Sequence, residues 1–352
     1  MAGYALPVSE NVVSIPLSSL QDKNIDLSRE LEAGFGPGGL GIVAISEVPD
    51  YASLRHHLLH LGERLAALPE QVRENLEDPD SRYSFGWSHG KENLESGVPD
   101  VLKGSFYANP LVDIPTLDEE PLQRYPSFCR PNKWPKKDLP ELEQALKALG
   151  RLMLDVGLLV AHHCDKYVES KCSTAEGDKL EDLLRNSQYH KGRLLHYFPS
   201  LTSSVTERLE STSSWCGWHT DHGSLTGLTC AMYMRNGIEI RCPDKIAGLY
   251  VRTLNGEIKK AVFSENQIAY QMGETTEILS KGLLRATPHC VQASAGANAV
   301  GVTRNTFALF MQPCWDQPLQ IIHEQSDCTE KVINFGDFSE KTISKYYKNV
   351  MV

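Results

Sequence analysis

The segment WHTDHGSLTGL, residues 218 to 228, concentrates side chains that can bind a metal. In an extended strand, residues i and i+2 point to the same face, so His219 and Asp221 are expected to project together. His222 would point away from them or enter the turn at Gly223. An imidazole and a carboxylate on one face are two ligands of the kind that hold a divalent metal.

A third ligand has to come from elsewhere in the chain. The candidate is His289 in RATPHCV, at the start of a later predicted strand, 70 residues after His219. Two histidines and one carboxylate leave three coordination positions open, which is the arrangement of non-haem Fe(II) oxygenases. A His-x-Asp pair alone also arises from chance or from structural hydrogen bonding, so this alternative stays open for the pair taken by itself.

A basic residue and a hydroxyl follow on a further predicted strand, TRNTFALFMQP. Arg304 lies 15 residues after His289, and Thr306 shares its face by the period-two rule. A guanidinium beside a hydroxyl can bind a carboxylate through charge-assisted hydrogen bonds. The alternative is an arginine that points outward from a solvated strand face.

Composition restricts the partners of this site. The chain of 352 residues has a formal net charge of −10, which argues against nucleic acid or an anionic membrane surface as a partner. We therefore expect a small-molecule substrate and a monomer. The nine scattered cysteines form no CxxC pair, and the N-terminal residues show no secretory signal, so we expect reduced thiols in a cytoplasmic protein.

The elements that would position these residues change character along the chain. Residues 1–185 are predicted to be a helix-rich N-terminal region, in which residues 83 to 108 form a loop-rich segment with many aromatic side chains. From residue 190, about eight short strands with period-two patterns predict a jelly roll within 186–315. Residues 316–352 are predicted to be a helical tail. The expected fold class is α+β, a double-stranded β-helix (jelly-roll) core with helices packed on it.

The order of three segments resembles a known family. HTDHGSLTGL, QMGETTEILSKGLLRATPHCV and RNTFALFMQP are similar to the isopenicillin N synthase-like group of 2-oxoglutarate/Fe(II)-dependent dioxygenases. The family pattern H-T-D-x-G-x-L-T is followed by G-x-x-x-E-x-x-S-x-G, a distal histidine and R-x-S. The sequence matches it at Gly273, Glu277, Ser280 and Gly282 and has Thr306 where the family has serine.

The resemblance implies a dioxygenase that holds Fe(II) by His219, Asp221 and His289. It implies that Arg304 and Thr306 bind the distal carboxylate of 2-oxoglutarate, which is decarboxylated to succinate while a small organic metabolite is oxidised. Hydroxylation is the expected reaction, with ascorbate as a supporting reductant. Desaturation, ring closure and dealkylation are possible at the same kind of iron.

The strand before the metal motif departs from the family pattern. Family members often have Asn-x-Tyr-Pro, whereas this chain has HYFP at residues 196 to 199. Alternation along the strand is expected to turn His196 and Phe198 inward and Tyr197 outward. His196 would then replace the asparagine as a contact to the co-substrate, or lie as a further imidazole near the iron.

One loop and several aromatic side chains are the candidates for the substrate pocket. Residues 201 to 214 can form a lid, and the candidate lining residues are aromatic: Trp87, Phe106, Tyr107, Trp218 and Phe310. Core packing is an equal alternative for each of them.

Two other functions remain alternatives to the oxygenase. One is an Fe(II) oxidase on the same scaffold that does not use 2-oxoglutarate, and the other is a catalytically silent binding or sensing relative.

Overall fold

The structure, a computed structural model, describes residues 7–92, 98–172, 178–199, 214–294, 297–322 and 330–346. Two β-sheets face each other, and long helices pack on the outer face of the larger sheet. Among the described residues, no helix is long and apolar enough to span a bilayer.

The larger sheet takes strands from both halves of the chain. In spatial order it contains β2 (Val13–Pro16), β3 (Ile42–Ser46), β13 (Ile268–Met272), β8 (Leu225–Thr229), β15 (Val302–Met311), β6 (Lys191–Tyr197), β5 (Lys103–Ala108) and β4 (Gly86–His89), with β9 (Met232–Arg235) beside β15 and β10 (Ile238–Ile240) beside β9. The β2–β3 pair is parallel, and the pairs on either side of β15 are antiparallel.

The smaller sheet carries the strands on which two predicted ligands lie. Its order is β1 (Ser9–Asn11), β12 (Ile258–Val262), β11 (Gly248–Arg252), β14 (His289–Gln292) and β7 (Ser214–His219). A separate antiparallel pair near the C-terminus consists of β16 (Pro318–Ile322) and β17 (Glu330–Asn334).

The helices precede, interrupt and follow these strands. They are α1 (Leu17–Gln21), α2 (Ser28–Phe35), α3 (Tyr51–Ala66), α4 (Glu70–Asn75), α5 (Glu119–Arg124), α6 (Pro126–Cys129), α7 (Glu141–Lys171), α8 (Leu180–Asn186), α9 (Glu274–Leu279) and α10 (Phe335–Tyr346), with single 3-10 turns at Pro79–Ser81 and Ala297–Ala299. The longest of them, α7, has Glu141 and Glu143 in its first turn and Lys171 in its last turn, charges that complement the helix dipole.

Strand β15 separates the two hydrophobic layers of the molecule. Its residues Val302 and Ala308 point between the sheets, where they join a cluster with Tyr197 and Tyr233 of the larger sheet. Phe307 and Leu309 alternate to the other face and pack into the core formed with α3 and α7. Because both faces are covered, nearly every residue of this strand is buried.

The predicted α+β jelly roll with packed helices is confirmed. The interpretation of residues 83 to 108 as a loop-rich segment is wrong in part, because β4 and β5 lie there and extend the larger sheet. The division at residues 185 and 315 stays a prediction, and strands from both sides of residue 185 share the larger sheet. The lid predicted at residues 201 to 214 lies outside the described residues, except for Ser214 at the start of β7.

Candidate metal centre

Two neighbouring strands of the smaller sheet carry the histidines of the predicted triad. His219 is the last residue of β7 and lies directly opposite His289, the first residue of β14. Because directly opposed residues of an antiparallel pair share a face, the two rings lie side by side, with centroids 4.2 Å apart. Strand pairing thus joins two imidazoles that are far apart in the sequence.

Asp221 joins this pair from the segment that follows β7. Its Oδ1 atom lies 3.8 Å from Nε2 of His219 and 4.0 Å from Nε2 of His289. Two ligand atoms bound at about 2.1 Å to one ion are at most about 4.2 Å apart, so a single divalent ion fits among these atoms. Two imidazoles and one carboxylate are the donor set of non-haem Fe(II) sites.

Hydrogen bonds orient each of the three side chains. The Thr226 hydroxyl donates to Oδ2 of Asp221 at 2.6 Å. Nδ1 of His219 lies 2.8 Å from the carbonyl oxygen two residues earlier, and Nδ1 of His289 lies 2.7 Å from the side-chain amide of Gln271. Since these contacts engage Nδ1 of both rings, Nε2 of each ring remains directed toward Asp221.

The environment favours the protonation states that a metal requires. Burial opposes ionisation of Asp221, but His289, His219 and the Thr226 hydroxyl outweigh it and lower the pKa of the carboxyl. Burial, together with His219, lowers the pKa of His289 to about 4. Near neutral pH the group therefore offers a carboxylate and a neutral imidazole from β14, the forms in which these side chains bind metals.

The glycine and glutamate of the second motif shape the turn beside the ligands. A Cβ at Gly273 would lie 2.1 Å from the carbonyl oxygen of Gly223, so only glycine lets this backbone approach the segment that carries Asp221. Glu277 accepts a hydrogen bond from the backbone N–H of Ala286 at 2.7 Å, shortly before β14 begins. These motif residues organise the approach to His289 without joining the group of ligands.

His222 belongs to a different contact. Its Nε2 atom lies 2.7 Å from the hydroxyl of Ser339 on α10, and its ring stacks on Phe335 with centroids 6.2 Å apart. The expectation that His222 points away from His219 and Asp221 is confirmed. Its side chain connects the segment that carries Asp221 to helix α10.

Arg304 and Thr306 lie on the inner face of β15. Arg304 is paired with Tyr197 of β6 on one side and Tyr233 of β9 on the other, and its Cζ atom lies 4.8 Å from the centroid of the Tyr197 ring. Burial raises the pKa of the Tyr233 phenol, and the hydrogen bond between its hydroxyl and the Arg304 guanidinium opposes this rise. A buried cation flanked by hydroxyl groups is suited to bind a carboxylate.

The structure contradicts the placement of His196 in this pocket. Its direct partner on β15 is Asn305, whose Oδ1 atom lies 2.8 Å from His196 Nδ1. Both side chains occupy the outer face of the sheet, where Glu63 of α3 lies 3.5 Å from the imidazole. The register pairs Arg304 with Tyr197, so Tyr197 faces inward and His196 outward, the reverse of the expectation.

Glu63 holds the residues on both sides of Arg304. One of its carboxylate oxygens accepts hydrogen bonds from the Thr303 hydroxyl at 2.7 Å and from the Asn305 amide at 3.1 Å. Period-two alternation places these two neighbours on the face opposite Arg304. Helix α3 therefore fixes the strand from behind at the point where the guanidinium projects inward.

A second charged group lines the inner face of β5 and β6. Glu92 accepts hydrogen bonds from Arg193 at 2.8 Å and from the Tyr107 hydroxyl at 3.1 Å, and it pairs with Lys103 at 2.9 Å. Arg193 also donates to the hydroxyl of Ser105. Burial opposes the charge of Glu92, but Arg193 and Lys103 hold its pKa well below the usual range. Apart from Tyr107, none of these residues was predicted from the sequence to belong to a site.

The aromatic candidates for the substrate pocket are divided between the two layers. Trp87 and Phe106 lie in the core on the helix side, which is the core-packing alternative for these two residues. Tyr107 faces the Glu92 group, and Phe310 packs at the edge of the inner cluster. Trp218 lies under the guanidinium of Arg252, 4.5 Å from ring centroid to Cζ.

Comparison with known proteins identifies a curated relative and many solved structures. The chain is 26% identical over 242 residues to scopoletin 8-hydroxylase of Arabidopsis thaliana, a match that covers 68% of this chain and 55% of the relative. The chain thus spans about half the length of that relative. No protein-family model matches the chain.

Two solved structures illustrate the shared fold. A full-length Neurospora crassa protein crystallised in complex with alpha-KG is 19% identical, with 98% of each chain covered and a TM-score of 0.69. A 2OG-Fe(II) oxygenase family protein of Caulobacter crescentus is 17% identical, with 95% of this chain and 98% of that chain covered and a TM-score of 0.71. The resemblance drawn from the sequence motifs is confirmed.

Proposed function

We propose that this chain, which has the fold of the 2-oxoglutarate/Fe(II) oxygenases, oxidises a small organic molecule and couples this to the conversion of 2-oxoglutarate to succinate and CO2. Hydroxylation is the reaction proposed. One observation carries the proposal: His219, Asp221 and His289 each place one possible ligand atom within 4.8 Å of the ligand atoms of the other two. Arg304 lies on the inner face of the sheet that faces this group.

The metal role rests on the chemistry of the three donors. Two neutral imidazoles and a carboxylate suit Fe(II) and leave positions for a co-substrate. When bound, Fe(II) with 2-oxoglutarate and dioxygen supplies the oxidising chemistry, in which one oxygen atom enters succinate and the other enters the substrate. The protein's part is to hold the ligands in place: Thr226 orients Asp221, and Gln271 orients His289.

The co-substrate role rests on Arg304, Thr306 and Tyr233. We propose that the guanidinium binds the distal carboxylate of 2-oxoglutarate and that the Thr306 and Tyr233 hydroxyls add neutral hydrogen bonds. Tyr197 covers one face of the guanidinium and keeps water from it. This carboxylate site supports the 2-oxoglutarate enzyme over an oxidase that would not need one.

Glu63 is proposed as a positioning residue for this carboxylate site. Replacing Glu63 with alanine should raise the KM for 2-oxoglutarate about three- to tenfold, the scale of one neutral hydrogen bond, because Thr303 and Asn305 lose their common acceptor. Steady-state kinetics would measure the change, with kcat and Fe(II) affinity nearly unchanged. Glu63→Gln keeps an acceptor oxygen and should restore most of the affinity. An equal loss in both variants would contradict the positioning role.

The physiological setting belongs to the same proposal. We propose a cytoplasmic, monomeric enzyme that acts on a small molecule without nucleic acid or membrane partners. The net charge of −10 supports the part of this proposal that concerns nucleic acid and membranes, because polyanions and anionic lipids repel such a surface. The substrate would lie between the sheets near the Glu92 group, whose carboxylate, ammonium and guanidinium suit a polar organic molecule.

Succinate formation tests the proposed function directly. The purified protein with Fe(II), 2-oxoglutarate and ascorbate should release succinate slowly without a substrate and faster with the right metabolite. Omitting Fe(II) or 2-oxoglutarate, or adding a chelator, should stop the release. His57→Ala, an exposed histidine on α3, should leave the rate unchanged. Absence of succinate with any metabolite mixture would reject the use of 2-oxoglutarate.

A further inference from the structure

A second group of metal-type ligands lies on the outer surface, on α3 and the β9–β10 hairpin. Among the described residues it consists of His56, His60 and Glu239, with one ligand atom of each within 4.8 Å of the others. His56 and His60 are four residues apart on α3, which places them one turn apart on the same face of the helix. Glu239 reaches them from β10.

The distances between these atoms match those around a single ion. The two Nε2 atoms are 3.2 Å apart, and Oε2 of Glu239 lies 3.6 Å from Nε2 of His56. Two nitrogen ligands at about 2.0–2.1 Å from a tetrahedral ion are about 3.3 Å apart, so the spacing of the two Nε2 atoms suits ligands of one ion. The carboxylate is partly exposed and can close the remaining distance by a small side-chain rotation.

A hydrogen bond between two neutral imidazoles is the other explanation for the histidine pair. It accounts for the 3.2 Å contact but not for the Glu239 carboxylate, which faces Nε2 of His56 at 3.6 Å, within ion-pair range but longer than a hydrogen bond. Shared coordination of one ion accounts for all three residues.

We propose that His56, His60 and Glu239 form a surface binding site for a borderline divalent cation such as Zn²⁺. Imidazole ligands favour Zn²⁺, Cu²⁺ or Ni²⁺ over Mg²⁺ and Ca²⁺, which prefer oxygen donors. Water would complete the coordination, because the His56 side chain is 58% exposed. The proposal does not depend on the proposed oxygenase activity.

A bound ion would join α3 to the β9–β10 hairpin. Glu239 is paired with Met234 of β9, and the same strand places Tyr233 opposite Arg304. Helix α3 already contacts this region through Arg55, which donates to the carbonyl oxygens of Cys230 and Ala231 just before β9. The ion would add a second connection between the helix and the sheet, and Zn²⁺ should therefore raise the Tm of the protein.

Calorimetric titration with Zn²⁺ tests the site, and His57 provides a matched control. His57 is exposed and adjacent to His56, but it points about 100° away around the helix. In Asp221→Asn protein, which lacks the carboxylate of the inner group, we expect one Zn²⁺ per chain. Adding His60→Ala should weaken this binding by at least about tenfold, because even the loss of an outer-sphere partner costs about 10- to 100-fold, whereas adding His57→Ala should not change it.

Glu239→Gln separates coordination from a simple histidine pair. It keeps the shape of the side chain but removes the charge, so Zn²⁺ binding and the Zn²⁺-dependent rise in Tm should both decrease. All of these positions are at the surface, and the Tm measured without metal reports whether each variant folds. Equal Zn²⁺ binding by the His60→Ala and His57→Ala proteins would overturn the proposal, as would unchanged binding by Glu239→Gln.

Discussion

Replacing Asp221 with alanine should reduce Fe(II)-dependent succinate formation by more than about 100-fold. Loss of a hydrogen-bond partner outside the coordination sphere alone costs about 10- to 100-fold in metal affinity or activity, and Asp221 is the proposed anionic ligand itself. The measurement is succinate release at saturating 2-oxoglutarate, together with direct titration of Fe(II) binding without oxygen. Both should fall together.

Stability of the metal-free protein separates this effect from misfolding. Asp221 is 9% exposed, and keeping its charge between the sheets is opposed by desolvation. His289, His219 and the Thr226 hydroxyl outweigh that cost, so removing the carboxylate should lower the Tm of the metal-free protein modestly without unfolding it, while the rise in Tm on adding Fe(II) disappears. Wild-type Fe(II) affinity in the Asp221→Ala protein would disprove the role of this residue as a ligand.

Thr226 offers a graded version of the same experiment. Thr226→Val removes the hydroxyl that donates to Asp221 and keeps the branched shape that suits β8, so Fe(II) binding should weaken by about 10- to 100-fold. Thr226→Ser retains the hydroxyl and should restore most of the affinity. Equal losses in the valine and serine variants would indicate a packing role instead.

Replacing Arg304 with glutamine should raise the KM for 2-oxoglutarate far more than any other change near β15. Truncating one member of a buried, hydrogen-bonded charge pair costs about 2–5 kcal/mol, or about 30- to several-thousand-fold in affinity. Arg304→Lys keeps the charge without the bidentate geometry and should give a smaller loss. Thr306→Val removes one neutral hydrogen bond and should cost about two- to tenfold.

Two controls make the Arg304 experiment specific. Fe(II) affinity should not change in Arg304→Gln, because the ligand side chains are held by Thr226 and Gln271. Arg235→Gln, on neighbouring β9, removes an arginine that donates to the backbone of Asn298 and should leave the KM unchanged. A normal KM for Arg304→Gln would place the co-substrate carboxylate elsewhere and exclude Arg304 as its anchor.

The chemistry of the inner group could be predicted from the sequence because it depends on local spacing and residue type. Period-two alternation put His219 and Asp221 on one face and separated His222 from them. The same rule put Thr306 on the face of Arg304. The pattern of short strands after residue 190 was sufficient to predict the jelly roll, because a half-buried strand leaves a clear alternation in the sequence.

The same rule failed where the answer depended on the register between two strands. Alternation along β6 shows that His196 and Tyr197 face opposite sides, but it does not show which side is the interior. That choice was made by pairing with β15, where Arg304 meets Tyr197 and Asn305 meets His196. A shift of one residue in the register exchanges every inward and outward side chain of a strand. The family motif on β6 was therefore insufficient to decide which of His196 and Tyr197 faces the interior.

The sequence by itself determined the ligand types, the reaction class to be tested and the layer architecture, because these follow from residue chemistry and hydrophobic period. Only the tertiary structure decided that His289 lies opposite His219, that Glu63 holds β15 behind Arg304, and that Glu239 meets the two histidines of α3. Each of these contacts joins residues distant in the chain, and their approach is set by strand register and helix packing, which local patterns do not encode.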